Sequence, residues 1–164
     1  MSALDRPAVQ RVVLALAGAG IEGRVIELDG TARTAADAAL ACGVPVGAIV
    51  KSLVFLVGDR PVMALVAGDR RCRMAALAGA VDLEGEVRRA DAERVRTLTG
   101  FAIGGVAPVG HPIPLPTVID GSLDRFRRLF AAAGHPHCVF ATDLAELARL
   151  TQGRLSDDVA EAAS

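Results

Sequence analysis

The chain has 164 residues, 52% of them apolar, and its only Phe, Tyr or Trp residues are five phenylalanines. A chain of this length is most simply a single domain spanning residues 1–164, with a core packed from aliphatic side chains. The formal net charge of −1 gives no overall attraction to nucleic acid, and so few aromatic residues argue against extensive base stacking.

The cysteines and the N-terminal residues help to predict the cellular compartment of the protein. Cys42, Cys72 and Cys138 are odd in number and widely spaced, which is typical of reduced thiols in a cytoplasmic protein rather than of disulfides. The first residues lack the pattern of a signal peptide, and no apolar run approaches 18 residues. We therefore expect a cytoplasmic protein without a membrane partner.

The first half of the chain predicts two helices followed by a hairpin. Turn residues and caps divide this part of the sequence. The predicted elements are a helix over 7–17 with Asp5 as its cap, a strand over 24–28, a helix over 34–42 that begins at Thr34, and strands over 48–57 and 62–67.

The second half mixes short helices and strands. Its predicted elements are helices over 74–80 and 91–98, strands over 101–103 and 117–119, a helix over 123–133 capped by Ser122, a strand over 137–141, and a helix over 143–150 capped by Thr142. The tail after Gly153 is expected to fray. Because regular alternation of strand and helix is absent, the order favours an α+β fold, a compact mixed β-barrel or sheet surrounded by helices.

Lys51 is the single lysine beside seventeen arginines, and it begins an apolar run. A lysine carries a compact ammonium whose pKa responds to burial, unlike the wide guanidinium of arginine. A partly desolvated cation needs an anionic or strongly polar partner, which can be a substrate. The alternative is a lysine whose stem lies on the core and whose head reaches water.

A loop rich in glycine and proline over 104–114 is the second unusual segment. Gly104 and Gly105 allow the backbone to approach a ligand closely, and the prolines stiffen the loop. Exposed N–H groups in a rigid loop can hold a carbonyl oxygen or an oxyanion. The alternative is a structural bend at the corner of a barrel.

Several standard sites do not fit the sequence. A phosphate-binding P-loop needs glycine before the Lys-Ser pair, where this chain has Val50. His135 and His137 have no second ligand pair at zinc spacing. Ser122 lies outside a nucleophile elbow, and Cys72 has no histidine near it in sequence.

The two unusual segments together resemble a known family. Residues 46–55 read Val-Gly-Ala-Ile-Val-Lys-Ser-Leu-Val-Phe, and residues 99–111 read Thr-Gly-Phe-Ala-Ile-Gly-Gly-Val-Ala-Pro-Val-Gly-His. They resemble the lysine strand and the glycine loop of the YbaK/ProX aminoacyl-tRNA deacylases, and the resemblance covers roughly residues 20–152. It implies a compact mixed β-barrel and trans-editing, the hydrolysis of the ester that joins a wrong amino acid to transfer RNA.

The resemblance also implies the site and its partners. The implied catalytic residues are Lys51, Gly104 and Gly105, and the implied substrate-binding residues are Ser52, Pro108, Gly110, His111 and Asp143. The expected partner is the 3′ end of aminoacyl-tRNA, with a synthetase as a second partner, no DNA, no metal and no cofactor. The oligomeric state, monomer or homodimer, stays open. Some members carry a tyrosine near positions 27–29, and this chain contains no tyrosine.

Two questions remain open from the sequence. A pocket near Ala64, Val66 and Ile103 is expected to suit small amino acids such as alanine, serine, threonine or cysteine. The same lysine and loop also fit a non-catalytic module that binds aminoacyl-tRNA or a synthetase. An unrelated esterase would need a nucleophile–base pair, and none is evident.

Overall fold

The computed structural model describes residues 2–30 and 32–163, in which short helices and strands alternate irregularly. The α-helices are α1 (Pro7–Gly18), α2 (Ala35–Cys42), α3 (Met74–Ala80), α4 (Ala92–Thr99) and α5 (Leu144–Thr151). The strands are β1 (Val25–Glu27), β2 (Ile49–Val57), β3 (Arg60–Ala67), β4 (Arg70–Cys72), β5 (Val87–Arg89), β6 (Thr117–Asp120), β7 (Leu129–His135), β8 (Cys138–Thr142), β9 (Arg154–Ser156) and β10 (Ala160–Ala162). Three-residue and five-residue 3₁₀ helices lie at Ala3–Asp5, Val46–Ala48 and Gly121–Arg125.

The strands form one mixed sheet and a separate pair. The main path runs β1-β8-β7-β2-β3-β6-β9, with β5 also paired to β2, while β4 pairs with β10. The pairs β2–β7, β3–β6 and β6–β9 are parallel, and the others are antiparallel. The predicted α+β class with a mixed sheet is confirmed. None of the described helices has the length and apolar character that a membrane crossing needs.

The predicted hairpin at the centre of the sheet is confirmed as β2 and β3. Its residues are apolar on both faces because both faces are covered. Val50 and Val54 pack with α1 and the loop after α4, whereas Phe55 and Val57 on the opposite face pack with α3. This two-sided burial explains why the run is almost continuously apolar.

One edge of β2 changes partner along its length. Strand β7 pairs only with Ile49 and Val50, and β5 pairs only with residues 55–57. Gly68 N–H donates to Ile49 O at 2.8 Å on the β3 side, and Ala90 N–H donates to Val54 O at 3.1 Å on the other. Because backbone groups alternate sides, the N–H and C=O of Ser52 point into the interval that neither strand covers in the described residues.

The predicted strand over 101–103 is wrong. This segment forms a tight turn, in which Gly105 N–H donates to Ala102 O at 3.0 Å. Phe101 is only 1% exposed. An aromatic side chain that anchors a turn in the core gives the same short apolar signal as a strand.

The predicted helix over 123–133 is also wrong. A 3₁₀ helix at Gly121–Arg125 gives way to β7, whose alanines suggested a helix from the sequence. Burial of Leu129, Ala131 and Ala133 in the sheet outweighs that local preference. Ser122 does not act as the cap, because the cap is Asp120, whose side chain accepts the Ser122 N–H.

Two other predicted caps differ from the structure. Arg6 occupies the N-cap position of α1 without a side-chain hydrogen bond, and Asp5 belongs to the preceding 3₁₀ helix. Asp143 rather than Thr142 caps α5 and accepts the Glu146 N–H at 2.8 Å. The predicted cap of α2 is confirmed, because Thr34 Oγ1 accepts the Asp37 N–H at 3.1 Å.

The expectation that the tail frays is wrong as well. Strand β9 lies parallel to β6, and β10 pairs with β4. Between them, Val159 is fully buried against the cluster that covers the α3 face of the hairpin. The tail is therefore part of the core and supports β4.

Replacing Val159 with alanine is expected to lower the free energy of unfolding by about 1–3 kcal/mol, because it leaves a cavity in that cluster. Leu155→Ala is the matched control. Leu155 is 56% exposed on β9, so this replacement should change the free energy of unfolding by no more than about 0.5 kcal/mol. Urea unfolding of both variants measures the difference, and equal stabilities would show that the tail contributes no core.

Candidate active site

A cavity of about 320 Å³ lies where the edge of β2 is open. Its lining includes Lys51 and Ser52 of β2, Arg89 beside them, Phe130 of β7, and Gly104 from the loop after α4. The volume lies at the lower end of the range for small-molecule sites. The structure thus brings the two unusual segments of the sequence to one cavity.

The walls of this cavity are mostly small and apolar. Ala35 and Ala38 of α2 contribute to one side, and Val95 and Val106 contribute elsewhere. Ile103 also lines it, as expected, and its side chain is 63% exposed. Such walls leave space for a small ligand group rather than a bulky one.

Ala64 and Val66, expected at this pocket, lie elsewhere. Both are fully buried on the face of β3 that packs with Leu77 of α3 and Val159. Val66 lies directly opposite Lys51 across the hairpin. The expectation failed because the cavity opens at the other edge of β2, away from β3, and the sequence does not say which edge of a strand is left unpaired.

Lys51 is half-buried, and its ammonium is held by a backbone carbonyl. Nζ donates a hydrogen bond to the carbonyl oxygen of Arg70 on β4. Burial lowers the pKa of Lys51, and the positive charge of Arg89 acts in the same direction. Asp69 and Asp120 oppose both effects through their negative charges. An ammonium has three N–H donors, so donors remain for a ligand.

Gly104 and Gly105 each have a structural reason to be glycine. Gly104 has φ +97° at the third position of the turn closed by Ala102 and Gly105, where a side chain would be strained. A Cβ on Gly105 would lie 2.9 Å from His135 N, because the loop packs directly on the turn between β7 and β8.

Only one of the two glycines is placed to offer its N–H to a ligand. Gly105 N–H is already bonded to Ala102 O, and Gly105 is buried without lining the cavity. Gly104 lines the cavity, and within residues 2–30 and 32–163 its N–H makes no hydrogen bond. The pair predicted from the sequence therefore separates into a cavity residue and a packing residue.

Ser52 presents three polar groups toward this region. Its Oγ is buried and has no hydrogen-bond partner in the described part of the chain. Its backbone N–H and C=O point into the uncovered interval of the β2 edge. Since buried polar groups in native proteins are almost always paired, these groups indicate a ligand with both donors and acceptors.

Two arginines at the cavity have no acidic partner. Arg33 and Arg89 line it and are exposed. The ion pairs of the described residues involve other arginines, and no carboxylate lies within 4.0 Å of Arg33, Arg89 or Lys51 in residues 2–30 and 32–163. Cations without carboxylates at a cavity mouth favour an anionic ligand.

The other predicted site residues lie away from this cavity. Pro108, Gly110 and His111 line a second cleft of about 320 Å³, between the C-terminal ends of α1 and α5. Asp143 is the cap of α5 and lines neither cleft. The turn at 102–105 redirects the chain, so the two halves of the glycine loop face different cavities.

His111 is partly buried in the second part of that loop. Its Nε2–H donates to Ala107 O at 2.7 Å, and its ring meets Phe101 edge-on at 6.0 Å between centroids. Burial lowers the pKa of His111; the bond to Ala107 opposes the shift, and the charge of Arg11 adds to it. A neutral His111 is therefore part of the packing of the loop.

The thiols at the site are unreactive. Cys138 lines the cavity, and burial raises its pKa to about 11. Cys72 lies on β4, and burial likewise raises its pKa to about 11. A protonated thiol is a poor nucleophile at neutral pH. Searching the described residues for three or more His, Cys, Asp or Glu side chains able to share a metal ion identified no such group.

Sequence reasoning missed Arg33 and Arg89 as cavity residues. Seventeen arginines are spread along the chain, so position alone does not distinguish these two. A weak signal existed at Arg33, which directly precedes the capping residue Thr34 of the small-residue helix α2. No local signal marks Arg89, because pairing of β5 with β2 brings it to the cavity.

A mixed sheet whose central strand opens on a cavity lined by a half-buried lysine, a glycine turn and two arginines forms a candidate site for a small anionic ligand. Comparison with known proteins gives the family. Residues 29–150 match the profile described as an aminoacyl-tRNA editing domain. The chain therefore belongs to the aminoacyl-tRNA editing domain family, as the resemblance predicted.

Individual relatives agree with this assignment. The proline–tRNA ligase of Lactobacillus gasseri is 37% identical over 67 residues, which are 41% of this chain and 12% of the ligase. The uncharacterized protein YwhH of Bacillus subtilis is 29% identical over 139 residues, 84% of this chain and 87% of YwhH. This chain thus corresponds to a small part of the ligase but to most of YwhH.

A solved structure matches almost the whole chain. It is a crystal structure described as a candidate trans-editing enzyme for prolyl-tRNA synthetase, with a TM-score of 0.87 and 41% identity. The match covers 94% of this chain and 98% of that one. The match to that structure therefore extends beyond residues 29–150.

The partly buried His111 is expected to make stability depend on pH. Its pKa is lowered in the folded state, so the unfolded chain binds the proton more readily, and stability falls as pH drops below about 6.5 and through the folded-state pKa. His111→Gln should flatten this profile by at most about 1.4 kcal/mol per pH unit, the limit for one proton.

Urea unfolding of both proteins at several pH values measures the effect. His135, whose pKa is also lowered by burial, is present in both proteins and cancels in the comparison. Parallel profiles for wild type and variant would contradict a lowered pKa of His111 in the folded protein.

Proposed function

We propose that this protein hydrolyses the ester bond of mischarged aminoacyl-tRNA as a free-standing editing enzyme for small amino acids. The observation that supports it most directly is the shared cavity of Lys51 and Gly104, in a chain of the editing-domain family. The similarity to a candidate trans-editing enzyme over most of both chains favours independent action.

The proposed chemistry needs little beyond positioning. An aminoacyl ester is already activated, so the site has to hold its carbonyl, place a water and stabilise the developing negative charge. Gly104 N–H is the backbone donor at the cavity for the carbonyl oxygen, and the remaining Lys51 donors add positive charge beside it. Ser52 offers its carbonyl and hydroxyl to the amino group of the substrate.

No side chain at the cavity is an evident general base. His135 also lines the cavity, but its Nδ1 accepts the His137 N–H at 3.1 Å, so the neutral ring carries its proton on Nε2 and has no free lone pair to accept a proton from water. We therefore assign activation of the water to the substrate itself, through the hydroxyl of the terminal ribose or the amino group. The proposed reaction uses no metal, so hydrolysis is expected to persist in the presence of a chelator. The proposal includes a cytoplasmic location, where aminoacyl-tRNA is made and used.

We assign the two arginines at the cavity to binding of the RNA end. Arg33 and Arg89 are suited to the phosphates next to the terminal adenosine, because neither guanidinium pairs with a carboxylate of the described residues. The formal net charge of −1 supplies no long-range attraction, so weak binding of the RNA alone is expected. A synthetase that presents the mischarged RNA would supply the missing affinity.

The walls of the cavity support a preference for small side chains. Alanines of α2 and valines near Gly104 leave space for alanine, serine, threonine or cysteine. A second hydrolytic pocket is useful because one pocket separates side chains that differ by a methylene by only about 10–200-fold. The unpaired Ser52 Oγ favours a substrate with a hydrogen-bonding group near it.

The alternative is a module that binds aminoacyl-tRNA or a synthetase without turnover. The cavity and its cations would serve that role equally well. Catalysis and binding differ in one respect: only catalysis releases amino acid in proportion to time and to protein concentration.

A panel of transfer RNAs mischarged with alanine, serine, threonine and cysteine tests the proposal. Wild-type protein should deacylate at least one of them, and Lys51→Ala should lower the rate by about 10²-fold or more. Lys51→Arg should fail similarly, because a wide guanidinium cannot replace the compact ammonium. Arg94→Ala, which removes an exposed cation from α4, is the control and should retain wild-type activity.

Full activity of Lys51→Arg would refute the geometric role of the ammonium. Binding of the panel without release of amino acid would instead favour the non-catalytic module.

Arg33→Gln is expected to weaken binding of an acceptor-stem minihelix. Loss of one contact to a single-stranded phosphate should reduce the slope of log K against log salt by about 0.7. Arg94→Gln is the matched control and should leave the slope unchanged. A fluorescence titration at several salt concentrations measures both variants, and identical slopes would remove Arg33 from the RNA-binding surface.

A further inference from the structure

A buried carboxylate lies behind the cavity at the end of β6. Asp120 is 1% exposed. Its Oδ2 accepts the Ala67 N–H at 3.2 Å, and its Oδ1 accepts the Ser122 N–H at 2.9 Å. Asp120 therefore joins the end of β3 to the end of β6. A buried negative charge also needs a positive partner, because two neutral N–H groups do not balance it.

Arg70 is the closest such partner. Its Nε lies 3.4 Å from Asp120 Oδ2, and its Nη2 donates to Ala160 O at 2.6 Å. Arg70 Nε is buried and forms no hydrogen bond in the described part of the chain, so its attraction to Asp120 is electrostatic rather than directional. Both contacts fix Arg70 at the start of β4, between β6 and the C-terminal strand β10.

The main chain of Arg70 holds Lys51. The carbonyl oxygen of Arg70 accepts the hydrogen bond from Lys51 Nζ, so one residue contacts the carboxylate with its side chain and the ammonium with its backbone. The position of Arg70 therefore determines the position of the Lys51 ammonium. Strand β4 is three residues long, so little in the strand itself holds the carbonyl of Arg70 in place. The contacts of the Arg70 side chain with Asp120 and with the carbonyl of Ala160 provide that rigidity.

We propose that Asp120 is a positioning residue for Lys51, acting through Arg70 and the start of β4. Its effect on catalysis rests on the proposed function, whereas its effect on the ammonium does not. The charged and titratable groups that face the ammonium are Arg89 from β5, Asp69 and Cys72 from either side of Arg70, and Asp120 itself.

The single lysine of the chain makes this proposal directly measurable. Lys51 is its only side-chain amine, so reaction with an amine-selective ester reports on this group alone once the N-terminal peptide is separated by mass spectrometry. Only the neutral amine reacts. Loss of the negative charge of Asp120 disfavours the ammonium, and a looser carbonyl makes the amine more accessible, so both effects speed labelling.

Asp120→Asn keeps the shape and removes the charge. We expect Lys51 to be labelled at least about threefold faster than in wild type at about pH 8. Asp124→Asn is the matched control, because it removes a charge from the same short helix at an exposed position, and it should label like wild type. Asp120→Asn should also lower kcat for deacylation by about tenfold or more, with a smaller change in KM.

Arg70→Met is the second variant, in case Asp120→Asn fails to fold. It removes the guanidinium but keeps the carbonyl and both backbone bonds of Asp120. Because loss of the positive charge itself favours the ammonium, the quantity compared for this variant is the limiting labelling rate at high pH, where the amine is neutral, and this rate should rise as the carbonyl loosens. Labelling of folded Asp120→Asn, or of Arg70→Met if that variant alone folds, at the rate of Asp124→Asn would overturn the proposal. Faster labelling in a protein without deacylase activity would support the positioning role and refute the proposed function alone.

Discussion

The site depends on the change of partner along one edge of β2. Strand β7 pairs with its beginning and β5 with its end, and the residues between them remain uncovered. This interval places the backbone of Ser52 at a cavity, and it leaves room for the glycine turn and for Arg89 around that cavity. A strand paired along both full edges would bury the same residues without any opening.

Around this opening, the residues that line the cavity differ from the residues that hold the loop in place. Lys51 and Gly104 line the cavity, whereas Gly105 and the partly buried His111 fix the loop against its neighbours. The burial that lowers the pKa of Lys51 is tolerated because a backbone carbonyl accepts a hydrogen bond from the ammonium and acidic groups lie nearby. The C-terminal strands complete this arrangement by holding β4.

Local patterns in the sequence predicted the elements that local chemistry determines. The apolar run over 48–57 predicted the central strand, and Thr34 predicted the start of α2, because caps and periodicity act within a few residues. Strand β7 was missed because its alanines favour a helix locally, and only pairing with β2 and β8 decides the outcome.

The pairing of Lys51 with Gly104 came from the family resemblance, and the structure brings both to one cavity. Other features of the site had no sequence signal. The hold on Lys51 comes from a backbone carbonyl, which every residue carries, and the opening in the sheet arises from strands far apart in the chain. The separation of Gly104 from the later residues Pro108 and Gly110 follows from a single turn, so a continuous motif contributes to two different clefts.

The most direct measurement is a crystal structure with a non-hydrolysable aminoacyl-adenosine, in which an amide replaces the ester. The account predicts its carbonyl oxygen at about 3 Å from Gly104 N, with Lys51 Nζ beside it and the amino acid between the small apolar walls. An analogue bound in the cleft between α1 and α5, with the cavity at β2 empty, would contradict it.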